Sequence, residues 1–200
     1  MSTSVLLAGF TLGFSLILAI GAQNAFILKQ GLKQQHVFVV CFICALSDAL
    51  LISAGVAGFG VIVQKFPLIE QFARYAGAAF LFFYASISFK SALTVDHFLK
   101  AEGKEVGSML AAVTASLAFT WLNPHVYLDT LVLLGSISTQ YEGQQLAFGI
   151  GAVTASFVFF FSLGYGAKLL IPVFKNSKAW TVLDFIIGFI MLALGASLLL

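Results

Sequence analysis

The chain has 200 residues, of which 60% are hydrophobic and only 9% are charged. Soluble domains carry roughly 25% charged residues, so this chain has too few charges to cover a soluble globule. Its 22 phenylalanines exclude a disordered or collagen-like chain, and its formal net charge of +2 is too small for a nucleic-acid-binding surface. The composition therefore predicts a multispanning membrane protein that lies in a lipid bilayer and has no nucleic-acid partner.

Long apolar runs, separated by short polar clusters, divide the chain into candidate membrane spans. About 20 apolar residues cross the hydrocarbon core, and lipid offers the backbone no hydrogen-bond partners, so each run is predicted to be a helix. The six predicted spans are residues 5–28, 37–63, 72–93, 109–138, 146–171 and 180–200. Because these spans leave no room for a soluble domain, residues 1–200 are predicted to form a single all-α transmembrane domain.

The distribution of lysine and arginine predicts the orientation of the connections between spans, because positive residues concentrate in cytoplasmic loops. The first, third and fifth connections hold eight such residues, whereas the second and fourth together hold two, Lys65 and Arg74. The odd-numbered connections are therefore predicted to be cytoplasmic. With six spans both termini would face outward, and a different span count would move one of them.

The two halves of the chain share a weak internal similarity. A shift of 99 residues lays residues 17–28 on residues 116–127 and matches Asn24 with Asn123. Three spans in each half would make the second half inverted relative to the first, as in many carriers. Against a perfect repeat, Asn24 lies near the end of its predicted span and Asn123 near the middle of its own. Two inverted three-helix repeats therefore stay one of two alternatives.

Asp48 lies almost at the centre of the second predicted span, where no sequence neighbour can neutralise it. A central aspartate costs roughly 2.5–3.5 kcal/mol of insertion free energy. It is therefore expected to face the bundle interior or a wet cavity, and intramembrane carboxylates are functional candidates for this reason. The alternative is a structural carboxylate that is hydrogen-bonded by neighbouring hydroxyls and amides.

A second polar cluster interrupts the fourth predicted span. Pro124 cannot donate a hydrogen bond to the carbonyl four residues earlier, and its ring crowds that carbonyl, which predicts a kinked or broken helix. On an unbroken helix Asn123 and Tyr127 share one face. His125 and Asp129 share another, and a break at the proline allows the two pairs to come together. The alternative is an ordinary proline kink with Asp129 near a helix end.

Two further polar features lie at the ends of predicted spans. Gly21 is followed closely by the amides of Gln23 and Asn24, which interrupt the end of the first apolar run. This group is interpreted either as a third candidate for a functional site or as a simple helix terminus. Asp184 lies at the start of the last span near Lys178 and is interpreted as an interfacial charge.

Cys41 and Cys44 form a C-x-x-C pair inside an apolar run. Without a second cysteine pair or nearby histidines, the sequence does not support a metal site, and no metal or other cofactor is predicted. Buried and inert thiols are the simplest interpretation. The alternative is a thiol–disulfide electron relay through the membrane.

The polar features above belong to three strings, GAQNAFILKQG at 21–31, LSDALLISAG at 46–55 and TWLNPHVYLDT at 120–130. These strings resemble the signatures of the lysine exporter (LysE-type) family, and the third is most similar to its arginine-exporter branch. The resemblance extends over almost the whole chain. It implies a multi-pass carrier of the bacterial inner membrane that exports basic amino acids and is not an enzyme.

The resemblance also implies a set of substrate- or proton-binding residues at the characteristic positions of the family. They are Gln23, Asn24, Asp48, Asn123, Pro124, His125, Tyr127 and Asp129. Ala22 stands where the first motif of the family commonly has a proline. This departure leaves open whether a rigid break in the first span is required.

The charge of a basic substrate leads to an expected mechanism. An inside-negative potential opposes the exit of a cation by about 2.3 kcal/mol per 100 mV, so concentrative export needs coupling, and proton antiport is the economical solution. A buried carboxylate that binds either a proton or the cation would couple the two flows. Asp48 or Asp129 would pair with a guanidinium. Asn24 and Asn123 would bind the substrate carboxylate, with Tyr127 beside the side chain.

Several alternatives stay open at this point. The competing functions are the thiol–disulfide relay, a structural or channel-like bundle, and the export of another small amino acid. The pattern does not separate arginine from lysine or from an analogue such as canavanine. The proton stoichiometry and assembly as a homo-oligomer are equally open.

Overall fold

The computed structural model describes residues 2–18, 21–58, 67–94 and 107–200. Within these ranges no strand occurs, and the predicted all-α class is confirmed. The elements, in chain order, are α1 (Thr3–Leu18), α2 (Ala22–Lys33), α3 (Val37–Val56), α4 (Pro67–Thr94), α5 (Met109–Trp121), α6 (Pro124–Tyr127), a π-helix (Leu128–Leu134), α7 (Gly135–Ser138), α8 (Gln145–Gly166), two short 3₁₀ turns (Ala167–Leu170 and Val173–Lys175) and α9 (Ser177–Ser197).

Among the described residues, four helical segments are long and apolar enough to cross a membrane: Val37–Val56, Arg74–Leu93, Gln145–Leu170 and Ser177–Ser197. The pair α1 and α2 passes the same test as one span that is bent by 82°, which makes up to five. α5 is apolar but has only 13 residues. The predicted count of six spans is therefore not confirmed, because two of the six segments are divided helices.

The ends of several elements differ from the predicted spans. α3 ends at Val56, and the end predicted for its span at residue 63 falls outside the described residues. α4 begins at Pro67, five residues before its predicted span, because proline is well suited to the first position of a helix. α8 ends at Gly166, and 3₁₀ turns replace the end predicted for this span. Most of the third connection lies outside the described residues.

α8 is the central helix of one body, which we call the α1–α3–α8 body. α1 runs parallel to α8, and the two helices approach closely because they meet at glycines. A Cβ on Gly9 would overlap the Phe148 carbonyl oxygen, and one on Gly13 would lie 3.0 Å from the Ala152 Cα atom. α3 runs antiparallel to α8, and the Cys41 thiol of α3 donates a hydrogen bond to the Phe160 carbonyl of α8. α2, α5 and the π-helix also pack on this body.

α4 and α9 form an antiparallel pair, which we call the α4–α9 pair. Near the start of α4, the Arg74 Nε atom donates a hydrogen bond to the Leu198 carbonyl beyond the end of α9. Farther along, Gly188 of α9 is close enough to Phe89 that a Cβ would lie 2.7 Å from the ring. The pair meets the rest of the described protein mainly through α2, α5 and α6.

The first, third and fifth connections meet at one end of the bundle, which we call the lysine-rich end. His36 Nε2 lies 2.7 Å from the Gly107 carbonyl oxygen, which joins the first connection to the third. Gly31 packs against Gly164 and Ala167, which brings the fifth connection to the same place. The distribution of lysines requires these three connections to lie on the same side of the membrane. It also predicts that this side is the cytoplasm.

Candidate functional site

A cavity of about 290 Å³ lies between the α1–α3–α8 body and the α4–α9 pair. Ligand pockets commonly enclose roughly 300–1,000 Å³, so a cavity of this size suits one small molecule. The junction between α1 and α2 and the junction between α5 and α6 both face it. Most of its wall is apolar, and its polar lining consists of Gln23, Asn24, Asp48, Asn123, His125, Asp129 and Thr130.

The cavity brings together six of the eight residues singled out from the sequence. They come from three separate parts of the chain, and they are Gln23, Asn24, Asp48, Asn123, His125 and Asp129. Pro124 is buried at the start of α6 and Tyr127 is one turn farther on, and neither lines the cavity. The roles of these residues in binding stay predictions.

Tyr127 contacts the end of α5 instead of the cavity. Its hydroxyl donates a hydrogen bond to the Trp121 carbonyl at 2.6 Å. The Trp121 indole in turn donates to the Ser47 hydroxyl on α3 at 3.2 Å. Tyr127 therefore stabilises the junction between α5 and α6, which we call the second break. Its hydroxyl was expected to lie beside the substrate, whereas it contacts the backbone at this break.

The junction between α1 and α2, which we call the first break, presents hydrogen-bond donors to the cavity. Gly21 is the extended residue before α2 and has no side chain with which to cap this helix. Gly21, Ala22 and Gln23 line the cavity, so the first backbone N–H groups of α2, which have no acceptor within the helix, lie at the cavity wall. The Gln23 Nε2 atom is buried and has no hydrogen-bond partner among the described residues. The Cys44 thiol lies near it, but without the geometry of a hydrogen bond.

Asn24 ties the two sides of this break together. Its Nδ2 atom donates a hydrogen bond to the Ile17 carbonyl on α1 at 2.8 Å. The side chain was expected to bind a substrate carboxylate, whereas this bond gives it a structural use as well. Gln23, one residue earlier, is the better-placed donor for an anion because its amide nitrogen has no partner within the described parts of the chain.

The second break confirms the interruption predicted at the proline. α5 ends at Trp121, Asn123 has extended backbone angles, and Pro124 is the first residue of α6. The Asn123 Oδ1 atom caps α6 by accepting a hydrogen bond from the His125 backbone N–H at 3.1 Å. The oxygen is thus used within the helix start, and the amide nitrogen is the group of Asn123 left to contact a substrate.

Asn24 and Asn123 occupy similar places after the two breaks. Asn24 lies in the first turn of α2, Asn123 is the capping residue of α6, and both line the cavity. The different depths expected from continuous spans no longer argue against a repeat, since both segments are divided near these residues. The internal repeat and the inversion of the two halves both stay predictions.

Asp48 and Asp129 bring two carboxylates to the cavity from different elements. Asp48 lies in the middle of α3 and is 5% exposed, and its Oδ2 atom accepts a hydrogen bond from the Ser156 hydroxyl at 2.9 Å. A hydroxyl partner agrees with the alternative structural interpretation, but the carboxylate still lines the cavity. Asp129 is half-buried in the π-helix, near His125. Single turns of π-helix occur frequently at functional sites.

The two cysteines lie inside the bundle and away from the cavity wall. Cys41 and Cys44 are fully buried and unpaired, and neither lines the cavity. In the part of the chain that the structure describes, no three or more histidine, cysteine or acidic side chains are grouped to hold a metal. An electron relay would need a thiol that a partner can reach, and neither thiol offers one.

Replacement of Cys41 and Cys44 by serine together is expected to leave transport unchanged, because neither sulfur touches the cavity. The measurement is the initial rate of substrate counterflow, compared with the parent at equal protein in the membrane. A complete loss of transport in a variant that inserts at normal abundance would favour the thiol–disulfide relay instead.

Asp184 is the buried charge that the sequence interpretation missed. The prediction of an interfacial residue near Lys178 is wrong, because Asp184 is 1% exposed and forms an ion pair with Lys29 of α2. Its second carboxylate oxygen accepts a hydrogen bond from the Ser91 hydroxyl of α4 at 2.6 Å. The available signal was an acidic residue seven positions inside an apolar helix.

Comparison with known proteins identifies the family. The model of the LysE type translocator family matches residues 14–200. The chain belongs to the LysE-type translocator family. This LysE-type translocator is therefore a multi-pass membrane transport protein and not an enzyme.

Relatives of this translocator match it over nearly their whole length. A putative amino-acid transporter of Mycobacterium bovis is 37% identical over 185 residues, which cover 92% of each chain. The arginine exporter protein ArgO of Pectobacterium carotovorum is 36% identical over 196 residues, 98% of this chain and 96% of its own. ArgO of Salmonella newport is 36% identical over 184 residues, 92% and 87% of the two chains. No solved structure matches.

Proposed function

We propose that this translocator exports a basic amino acid, with L-arginine as the first candidate, from the cytoplasm across the bacterial inner membrane in exchange for protons. The observation that carries the proposal is the convergence of two carboxylates and several amide donors on one small cavity in an apolar bundle. The names of the ArgO relatives, which are arginine exporters, support the choice of substrate.

The two carboxylates match the charge of a basic side chain. Asp48 is more deeply buried than Asp129, and a guanidinium would form two parallel hydrogen bonds with either of them. A neutral amino acid offers only its α-ammonium group to the two carboxylates, whereas a basic amino acid offers a second cation and so gives both carboxylates a counter-charge. This charge balance supports a cationic substrate.

The amide donors match the α-carboxylate of the same molecule. The start of α2, where the capping residue is Gly21, carries the positive end of the helix dipole, and anions bind favourably at such positions. Gln23 adds an Nε2 donor that has no partner among the described residues, and Asn123 lies at the other break. Carriers commonly bind an anionic substrate group at the start of a divided helix. A carboxylate at α2 and a cation at Asp48 would fix the direction of the substrate.

Proton exchange supplies the driving force that export of a cation needs. The inside-negative potential opposes each exported charge by about 2.3 kcal/mol per 100 mV and favours proton entry by the same amount. One proton in for one cation out thus moves no net charge. In this scheme Asp48 binds the cation after its proton leaves toward the cytoplasm, and it takes up a new proton after the substrate leaves on the outside.

Counterflow in proteoliposomes tests the proposal directly. Vesicles that contain the purified translocator are loaded with one amino acid, and the uptake of labelled arginine is followed. We expect fast and saturable uptake into vesicles loaded with arginine, lysine or canavanine, and background uptake into vesicles loaded with leucine or glutamate. Saturation together with counterflow also distinguishes a carrier from a channel-like bundle.

An imposed proton gradient tests the coupling separately. Vesicles that are acidic inside should accumulate labelled arginine, and a protonophore should abolish that accumulation while leaving counterflow intact. Counterflow with leucine alone would overturn the substrate assignment. Accumulation that does not respond to the proton gradient would overturn antiport without affecting the substrate assignment.

A further inference from the structure

The cavity lies at a boundary between two bodies that are joined by few elements. The α4–α9 pair lines it with Phe80 and Leu194, whereas the opposite wall comes from α1, α2, α3 and the second break. α4 and α9 pack closely along each other, and their contacts to the rest of the described protein run mainly through α2, α5 and α6. A movement of the α4–α9 pair relative to α2 would therefore open or close the cavity.

A buried ion pair joins these two bodies away from the cavity. Lys29 of α2 is bonded to Asp184 of α9, and Ser91 of α4 donates to the same carboxylate. Asp184 is 1% exposed and the Lys29 side chain is 11% exposed. Separating two buried opposite charges without water entering is strongly unfavourable, so the pair favours two discrete states, closed and hydrated.

An aromatic layer lies between the cavity and this ion pair. Phe26 and Phe119 on one side meet Phe80 and Tyr84 of α4 on the other. The ring centroids of Phe26 and Tyr84 are 5.9 Å apart, and those of Phe80 and Phe119 are 4.8 Å apart. Only Phe80 and Phe119 of these four reach the cavity wall.

The order of residues along the helices shows where the aromatic layer and the ion pair lie relative to the cavity and the lysine-rich end. On α4, Phe80 lines the cavity, and Ser91 follows about 16 Å farther along the helix at 1.5 Å per residue, toward the third connection. On α9, which follows the fifth connection, Asp184 precedes the cavity-lining Leu194. The ion pair is thus farther from the cavity than the aromatic layer.

We propose that Lys29 and Asp184 form a gate that closes the cavity toward the lysine-rich end. The pair holds α9 against α2 while the aromatic layer excludes water, and it separates when the cavity opens at this end. Both are positioning residues, because neither lines the cavity. The inference goes beyond the proposed substrate, since it concerns which end opens and not which amino acid is carried.

The test measures access to the cavity from each face of the membrane. Ala118, which lines the cavity, is replaced by cysteine in a background with Cys41→Ser and Cys44→Ser. An impermeant thiol reagent is added to one face of sealed vesicles at a time. Labelling of a separate Lys33→Cys variant identifies the face that carries the lysine-rich end.

Removal of both charges should open the gate. In the Lys29→Met, Asp184→Asn variant we expect the cysteine at position 118 to be labelled several-fold faster from the lysine-rich face, with no increase from the other face. The exchanged pair, Lys29→Asp with Asp184→Lys, should restore slow labelling because it restores the attraction. The matched control is Lys178→Met, which removes an exposed lysine of the same helix as Asp184 and should change nothing.

Several outcomes would overturn the gate. They are unchanged labelling in the neutral variant at normal abundance, equal acceleration from both faces, or equal labelling of the neutral and exchanged pairs. None of these readings uses arginine. Failure of arginine counterflow would therefore leave the gate standing, and failure of the gate would leave the proposed substrate standing.

Discussion

Replacement of Asp48 by asparagine is expected to abolish arginine export while the protein stays in the membrane. The change removes the negative charge and keeps the size of the side chain, so insertion becomes more favourable while the pairing with the substrate cation is lost. A hydrogen bond to a charged group contributes about 1.5–3 kcal/mol, which corresponds to a loss of roughly 10- to 100-fold in binding. Loss of the proton site would add to this loss.

The measurement is the rate of arginine counterflow for Asp48→Asn at an abundance matched to the parent. Ser156→Ala is the control, because it removes the 2.9 Å hydrogen bond to Asp48 and keeps the carboxylate. We expect this control to retain most of its transport. Full transport by Asp48→Asn at normal abundance would remove Asp48 from the mechanism and leave Asp129 as the carboxylate to examine.

Replacement of Pro124 by alanine is expected to slow or stop transport without lowering abundance. Alanine supplies the backbone N–H that proline lacks, and this donor allows α5 to continue through residues 122–124 toward α6. A continuous helix would be at least as stable, and it would move Asn123 and Asp129 away from their present places on the cavity wall. The gain in stability and the loss of transport therefore have the same cause.

Two substitutions of Asn123 distinguish the role of the helix break from the role of the Asn123 amide group. Asn123→Ala removes both the cap on His125 and the amide nitrogen, and it should fail as Pro124→Ala does. Asn123→Ser keeps a capping oxygen and removes only the amide. Slow counterflow by the serine variant would assign the amide to substrate binding, whereas normal counterflow would assign Asn123 to the cap alone. An active Pro124→Ala variant with unchanged apparent affinity would show that the proline is only a kink.

Much of the candidate site was predictable because polar groups in a membrane helix are costly. Asp48 stood out against its apolar neighbours, and Pro124 predicted the second break from its missing donor. The first break was harder to see. Gly21 and the two amides after it are equally compatible with a helix end, and only the structure shows that a second helix, α2, follows at 82° to α1.

The predicted count of six spans depended on treating each apolar run as one straight helix. Hydropathy averages over a run and does not respond to a change of direction, so the runs at residues 5–28 and 109–138 looked continuous. In the structure the first is a pair of helices that meet at 82°, and the second is divided at Asn123. Length and composition were sufficient for the class of the protein and insufficient for the number of crossings.

The sequence by itself determined that this is an all-α membrane protein with Asp48 inside an apolar helix, because hydropathy and the insertion cost of a charge depend on neighbouring residues. Its resemblance to the LysE-type family came from three strings of residues. The tertiary structure decided which of these groups meet. Lys29 and Asp184 are 155 residues apart in the chain, and their pairing depends on how α9 packs against α2. The hydrogen bond from the Tyr127 hydroxyl to the Trp121 carbonyl likewise depends on how the chain turns at the second break. Contacts between distant helices come from packing in three dimensions, which no local pattern records.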